Sequence, residues 1–190
     1  MSLFGRALAF ASERHGDAGR KGGDGLAILH AAEAACIAST MTSDERVLAA
    51  AVLHDTVEDA GVSPEEIKEL FGDRVAFLVA AETEDKQRRL PASETWKMRK
   101  QASIELLRRS DDRDVGIVFL SDKLSNMRAF YRQKNRLGDG LWQLFNQRDP
   151  EQHHWYYRSI ADALPELRDT EAWKEYDWLI SRVFEEGGRY

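Results

Sequence analysis

The sequence predicts an all-α fold, and three observations lead to that prediction. Apolar residues recur at the spacing of amphipathic helices through most of the 190 residues. Residue types that cap helix N-termini stand directly before several of these apolar runs. No run of alternating β-branched residues is followed by a hairpin turn, so the chain offers no convincing strands.

Capping residues and glycines set the boundaries of the predicted helices. Thr42 and Ser63 each stand three residues before a glutamate, which is the spacing of a capping box. Asp149 and Thr170 stand before first turns that contain proline or glutamate. Glycine-containing segments separate most of the other helices. The predicted helices span about residues 3–15, 25–40, 43–59, 64–71, 73–84, 93–109, 112–133, 140–148, 150–164 and 170–186.

Charge and hydropathy exclude several classes of protein. Lys and Arg total 27 against 33 Asp and Glu, so the net charge is −6. This balance disfavours a protein that coats nucleic acid or an anionic membrane through bulk charge, and we expect neither partner. The longest apolar runs, 47–53 and 75–81, have about seven residues each, far fewer than the roughly 20 that cross a bilayer.

The cysteine content and the length indicate a compartment and a domain count. The chain has one cysteine, Cys36, which cannot form an internal disulfide, so a reducing, cytoplasmic compartment fits best. A length of 190 residues suits a single domain, and no Pro/Gly/Ser-rich linker divides it. We therefore expect one domain over residues 1–190.

The segment AAAVLHDTVEDAG, residues 49–61, has several potential metal-binding and acid–base side chains close together. His54 and Asp55 end an apolar helix, and Glu58 and Asp59 follow. If that helix continues to residue 59, the pairs 54/58 and 55/59 lie on one face. Three carboxylates packed so closely repel one another unless a cation neutralises them, which suggests a divalent metal.

Two other segments could supply further ligands. His30 lies in the apolar stretch LAILHAAEAA, where a histidine alone is more typical of a hydrogen-bonded core residue. Asp122 follows a strongly apolar run and needs a partner, and Asn126 lies one helical turn later. A single metal held by His30, His54, Asp55 and Asp122 would explain all three segments, with open positions for water and an anionic substrate.

The order of these motifs resembles the HD-superfamily phosphohydrolases. Within that superfamily the chain is most similar to the (p)ppGpp hydrolase domain of RelA/SpoT-type proteins and to small stand-alone alarmone hydrolases. The resemblance covers about residues 4–165, which leaves 166–190 as a C-terminal helix packing on the domain. It is carried by Arg20-Lys21, by His54-Asp55 and Glu58-Asp59 within LHDTVED, by Trp96-Lys97-Met98-Arg99-Lys100, and by Asp122 and Asn126 within SDKLSNMR.

The resemblance implies an HD-domain bundle of about ten helices and a set of site residues. It implies that His30, His54, Asp55 and Asp122 bind one divalent ion, usually Mn²⁺. It implies that Glu58 and Asp59 orient or deprotonate the attacking water and that Asn126 lies near the reacting phosphate. Arg20 and Lys21, and from the central basic segment Lys97 and Lys100, are the implied substrate-binding residues. The implied reaction is hydrolysis of guanosine 3′-diphosphate 5′-(di/tri)phosphate to GDP or GTP and pyrophosphate.

Departures from the family pattern keep other functions open. Gly25-Leu26 and Ala31 flank His30 where the family commonly has Pro-Tyr and proline, in a loop that helps to form the base pocket. Ser125 stands where His or Tyr is frequent. The alternatives are another HD phosphohydrolase such as a 5′-deoxynucleotidase, an adenosine analogue or a reduced dinucleotide phosphate as substrate, and a catalytically silent nucleotide-binding module.

Aromatic residues and the remaining histidines are expected to be structural. Four of the five tryptophans lie after residue 140, where aromatics at helical spacing are most often core, or the contact surface of a homodimer. His15, His153 and His154 are expected to be exposed or to cap helices.

Overall fold

The computed structural model of the chain describes residues 1–20, 25–84 and 90–185. Over these residues the protein is a bundle of ten α-helices, and its extended pairing is limited to one isolated bridge between Gly19 and Leu26. The all-α prediction is confirmed. The helices are α1 (Leu3–His15), α2 (Ala27–Ala38), α3 (Glu45–Leu53), α4 (Thr56–Asp59), α5 (Pro64–Phe71), α6 (Asp73–Glu82), α7 (Ala92–Arg109), α8 (Arg113–Leu137), α9 (Pro150–Asp162) and α10 (Glu171–Ile180).

Helix α8 forms the centre of the bundle. It packs against α2, α3, α6 and α10. Every residue from 115 to 125 is buried, so this stretch has no solvent-facing side. The two charged residues inside it, Asp122 and Lys123, therefore need partners from the surrounding helices.

Gly116 allows α8 to approach the short 3-10 segment Pro165–Leu167. A Cβ atom at position 116 would lie 2.9 Å from Cδ2 of Leu164 and 2.8 Å from Oε1 of Glu166. Leu164 is fully buried and has little room to move.

We expect Gly116→Ala to destabilise the protein by about 1–2 kcal/mol, because the overpacking against Leu164 outweighs the helix propensity that alanine gains. Urea unfolding measures the change. Gly140→Ala is the control, since its nearest neighbour would be Cβ of Leu137 at 3.9 Å. A Gly116→Ala protein as stable as the wild type would contradict the close approach.

Several helix starts follow the predicted capping chemistry. The Ser63 hydroxyl accepts a hydrogen bond from the Glu66 N–H, and Thr170 does the same for Trp173. Asp149 accepts from the Glu151 N–H ahead of α9. The capping box at Thr42 is wrong, because the carboxylate of Asp44 caps α3 instead.

Two predicted helices differ from the structure. The single helix over 43–59 ends at Leu53, and α4 restarts at Thr56. The helix over 140–148 is a 3-10 segment, Gly138–Leu144, which begins at a glycine with a φ of 57°. Such a positive φ ends α8, and a second glycine, Gly140, lowers the α-helix propensity of the segment that follows.

The aromatic residues of the C-terminal part form a cluster around His153. Its ring contacts the rings of Phe130, Trp142 and Phe145, and its Nε2–H donates to the carbonyl of Gln147 at 2.9 Å. The prediction that His153 is exposed or caps a helix is wrong, because the imidazole completes this apolar cluster.

Burial lowers the pKa of His153 below its usual value of 6.5. The unfolded chain therefore binds a proton at this position more readily than the folded chain, and stability is lost as the pH falls below that value. We expect the wild type to lose more stability between pH 7.5 and pH 5 than His153→Gln does, as measured by urea unfolding in EDTA. Equal losses in the two proteins would contradict this assignment.

Within the described residues, no helix is both long and apolar enough to cross a membrane.

Candidate metal centre

Three helices bring four candidate ligands to one place. His30 lies in the first turns of α2, and Asp122 lies in the buried part of α8. His54 and Asp55 occupy the interruption between α3 and α4. The interruption arises because side chains take the last carbonyls of α3: His54 Nδ1–H donates to Ala51 at 2.8 Å, and the Thr56 hydroxyl donates to Leu53 at 2.7 Å.

The ligand-type atoms of these four residues converge. Nε2 of His30 lies 2.9 Å from Oδ1 of Asp122 and 3.8 Å from Oδ2 of Asp55. Nε2 of His54 lies 3.3 Å from Oδ2 of Asp55 and 3.5 Å from Oδ1 of Asp122. Atoms bound at about 2.0–2.2 Å to one divalent ion lie about 3.0–3.5 Å apart, so most of these separations suit a common ion.

The hydrogen bonds of the two imidazoles also favour a cation between them. Both Nδ1 atoms point away from the cluster, His30 to the Ser125 hydroxyl at 2.8 Å and His54 to the Ala51 carbonyl. The two Nε2 atoms face each other at 3.2 Å. Two neutral rings that use Nδ1 as donor would turn two lone pairs towards each other and towards carboxylates, which is favourable only around a cation.

Electrostatics at the cluster agree with this assignment. Burial alone would lower the pKa of His54, but the carboxylates of Asp55 and Asp122 raise it well above its usual value. Burial alone would raise the pKa of Asp55, but the neighbouring imidazoles hold it below its usual range. Without a metal, a proton on His54 therefore supplies the positive charge that the carboxylates attract, and a divalent ion must displace it.

Glu58 and Asp59 lie beside this cluster on α4. Together with Asp55 they form a second group whose ligand-type atoms all lie within 4.8 Å of one another. The Glu84 N–H donates to Oε1 of Glu58 at 2.6 Å, which ties α4 to the end of α6. The interruption at residue 54 means that the 54/58 pairing on one uninterrupted helix is wrong, although the residues still meet at one site.

Asn126 connects the metal-ligand candidates to a basic residue. Its Nδ2–H₂ group donates to Oδ1 of Asp122 at 2.7 Å, and Nη2 of Arg20 donates to its Oδ1 at 2.9 Å. Arg20 is thereby held at the site. Lys21, the other predicted residue of that pair, lies outside the described residues.

A cavity of about 570 Å³ opens onto the cluster. His30, Asp55, Glu58, Asp59, Asp122, Asn126, Arg20 and Lys100 line it together with Arg14, Arg99, Lys123 and several aromatic residues. Lys97 does not line the cavity. Its ammonium lies 5.6 Å from the ring centre of Trp155.

Arg99, rather than the predicted Lys97, lines the cavity together with Lys100. Trp96 is buried, and residues three and four positions later share its face of α7, which brings Arg99 and Lys100 to the cavity. Both cations bind Glu84, Arg99 at 2.6 Å. Helical periodicity counted from Trp96 would have selected Arg99 over Lys97.

Lys123 is a second residue that the sequence analysis missed. Its ammonium is buried between Oδ2 of Asp122 and Oε1 of Glu82, which it contacts at 2.6 Å. Burial alone would lower the pKa of Lys123, but these two carboxylates raise it well above its usual value. Burial raises the pKa of Glu82 to about 8, against the opposing charge of Lys123. No local sequence signal links residues 82 and 123.

His15 also differs from its prediction. It is buried at the end of α1 and lines the same cavity, so an exposed or capping role is wrong. Among the described residues, its Nε2 has no hydrogen-bond partner. Burial lowers its pKa, and Asp55 acts in the opposite direction.

The protein is thus a helical bundle in which two imidazoles and two carboxylates converge beside an open cavity. These four groups form a candidate metal centre. The model of the HD domain family matches residues 7–149, and the chain belongs to this family. The fold class predicted from the sequence is thus confirmed to the level of the family.

Comparison with known proteins identifies relatives of this HD domain. The chain is 35% identical over 133 residues to the guanosine-3′,5′-bis(diphosphate) 3′-pyrophosphohydrolase of Aquifex aeolicus, a match that covers 69% of this chain and 18% of that protein. It is 36% identical over 130 residues to the probable GTP pyrophosphokinase of Mycobacterium leprae, covering 68% of this chain and 16% of that protein. The chain thus matches less than a fifth of the length of these curated relatives.

One solved structure matches nearly the whole chain. It is that of a metazoan ortholog of SpoT, described as hydrolysing ppGpp and playing a role in starvation responses. The TM-score is 0.75 at 26% identity, and the match covers 96% of each chain.

Proposed function

We propose that the protein is a divalent-metal-dependent hydrolase of guanosine 3′-diphosphate 5′-(di/tri)phosphate, which yields GDP or GTP and pyrophosphate. The observation that carries the proposal is the convergence of His30, His54, Asp55 and Asp122 at one point, where all but the buried His54 line a cavity with Glu58, Asp59 and Asn126. Relatives of this HD domain include a protein named for this reaction and one described as hydrolysing ppGpp.

In this proposal the four converging residues hold one divalent ion, and we propose Mn²⁺ because the HD-family motifs that the chain resembles usually bind it; the two carboxylate ligands are compatible with that ion. Such an ion would lower the pKa of a coordinated water and polarise the phosphoryl oxygen. Asp122 would bind through Oδ1 while Lys123 and Asn126 hold the carboxylate in place.

Glu58 and Asp59 supply carboxylates beside the point where a water would attack. Oδ2 of Asp55 lies 3.3 Å from Nε2 of His54, and Asp55 also groups with Glu58 and Asp59, so the carboxylates on α4 lie next to the proposed ion site. One of them would accept the proton of the water that attacks the inner phosphorus of the 3′-diphosphate. The bond from that phosphorus to the 3′-oxygen breaks, pyrophosphate leaves, and the 3′-oxygen takes up a proton.

The cavity also has cations that can meet the substrate's negative charge. Arg20 is held by Asn126 near the reacting phosphate, and Lys100 and Arg99 project from α7. Arg99 and Lys100 bind Glu84 in the structure, so phosphate oxygens would compete with that carboxylate. Lys21 remains in the proposal on the basis of the family motif, and Lys97 is proposed only as part of the positive region around the cavity mouth.

The experiment that tests the proposal is an incubation of the full chain with ppGpp, with and without Mn²⁺. The expected products are GDP and pyrophosphate in equal amounts, only when the divalent ion is present. Parallel incubations with the adenosine analogue, a reduced dinucleotide phosphate and a panel of deoxynucleoside monophosphates address the other HD activities. Release of phosphate from the monophosphates but no pyrophosphate from ppGpp would contradict the proposal.

The proposal also covers the domain organisation, the location and the oligomeric state of the protein. We propose a single domain over residues 1–190, supported by the packing of α10 on α8. A cytoplasmic location is supported by the single cysteine, Cys36. A homodimer is supported by exposed apolar side chains in the C-terminal part, among them Trp178.

A further inference from the structure

A chain of hydrogen bonds leads from the buried His30 to the partly exposed side chains of α10. Nδ1 of His30 lies 2.8 Å from the hydroxyl oxygen of Ser125, which is fully buried. The Ser125 hydroxyl in turn lies 2.6 Å from Oε2 of Glu33, one turn further along α2. His54, by contrast, directs its Nδ1 to the backbone carbonyl of Ala51.

The direction of each bond in this chain follows from counting protons. An ionised Glu33 can only accept, so the single proton of the Ser125 hydroxyl is donated to it. The serine oxygen can then only accept from His30, whose proton must therefore be on Nδ1. In a neutral imidazole with its proton on Nδ1, Nε2 carries the lone pair, and in His30 this atom faces the candidate metal site.

Glu33 is itself held from the other side. Nη1 of Arg128 lies 3.3 Å from Oε1 of Glu33. Arg128 also forms a two-point ion pair with Glu175 on α10, through Nε at 2.6 Å and Nη2 at 2.7 Å. Glu175 lies beyond residues 7–149, the part that matches the HD domain model, so the chain reaches past the family motifs.

We propose that Ser125 and Glu33 are positioning residues for the metal centre. They fix the ring of His30 with the proton on Nδ1 and make Nε2 a better ligand, as acceptors behind metal-bound imidazoles do. Arg128 and Glu175 hold Glu33 in the required place. The inference rests on the proposed metal site and deepens it, because it assigns a role to residues that touch neither the metal nor the substrate.

The chain provides a matched control for this inference. Ser121 is also a fully buried serine on α8, one turn before Ser125, and its hydroxyl donates only to the Ile117 carbonyl at 2.7 Å. Ser121→Ala and Ser125→Ala therefore remove the same group from equally buried positions, but only Ser125→Ala breaks the link to His30.

The test measures Mn²⁺ binding to the metal-stripped full chain by isothermal titration calorimetry. We expect Ser125→Ala to weaken binding by about 10–100-fold and Ser121→Ala to leave it near the wild-type value. Glu33→Gln keeps an acceptor for the serine proton but removes the charge, so its loss should be smaller than that of Ser125→Ala. Thermal unfolding of the metal-free variants checks that each has folded.

A second readout follows the hydrogen bond itself. In the Zn²⁺-loaded protein the Nδ1–H protons of His30 and His54 are expected as slowly exchanging NMR signals, and Ser125→Ala should lose only that of His30. Equal Mn²⁺ affinities of Ser125→Ala and Ser121→Ala, or an unchanged His30 signal, would overturn the inference. A wild type that binds no divalent ion would instead overturn the proposed function.

Discussion

Asp55→Ala is expected to lower the rate of pyrophosphate release from ppGpp by at least about 10³-fold, equivalent to about 4 kcal/mol of transition-state stabilisation. Oδ2 of Asp55 lies within 3.3–3.8 Å of the Nε2 atoms of both histidines, and Asp55 also belongs to the group formed with Glu58 and Asp59. Its removal takes away a candidate ligand and the carboxylate that joins the ion site to the proposed base. Steady-state kinetics at saturating Mn²⁺ measure the loss.

The control for this variant is Asp73→Ala. Asp73 is an exposed carboxylate at the start of α6 that pairs with Lys68 at 2.8 Å, and it does not line the cavity. Its removal should leave the rate unchanged. A folded Asp55→Ala protein that keeps more than about a tenth of the wild-type rate would contradict the assignment of Asp55.

Lys123→Met is expected to destabilise the protein by about 3–5 kcal/mol at pH 7, because it removes the cation that compensates the buried carboxylate of Asp122 and that also contacts Glu82. Asp122 and Glu82 both depend on this ammonium, and both are at most 6% exposed. Burial raises the pKa of Glu82 to about 8, so this carboxyl is mostly protonated at pH 7, and the uncompensated charge in the variant is that of Asp122.

Urea unfolding in EDTA measures this loss without the contribution of metal binding. Adding Glu82→Gln to Lys123→Met should recover part of the stability, because folding then no longer requires protonation of a carboxyl that is ionised in the unfolded chain at pH 7. Relative to the wild type, the single variant should lose further stability as the pH rises above about 8, because only the wild type has Lys123 to compensate the Glu82 carboxylate once it ionises. A loss below about 1 kcal/mol for Lys123→Met would contradict the account of this ion pair.

The helices and the identity of the cluster could be predicted from local sequence patterns. Helical periodicity and caps such as Ser63 and Thr170 act within one or two turns, so they are readable along the chain. The segments carrying His30, His54 and Asp122 stood out because each places a polar group beside apolar residues. That these residues ligate a metal stays a prediction, which the geometry supports.

Features that depend on contacts between distant helices could not be predicted in this way. The break after Leu53 results from side chains of His54 and Thr56 replacing backbone donors, which ordinary helix patterns do not reveal. Glu82 lies 41 residues before its partner Lys123, and Glu33 lies 92 residues before its partner Ser125. Only the packing of α8 against α6 and α2 brings these pairs together.

The most direct test of the central claim is a titration of the metal-stripped protein with Mn²⁺ while pyrophosphate release from ppGpp is followed. We predict no pyrophosphate release before metal is added and full activity at one tightly bound ion per chain. Activity that persists in the stripped protein, or pyrophosphate release that stays absent once the ion has bound, would contradict it.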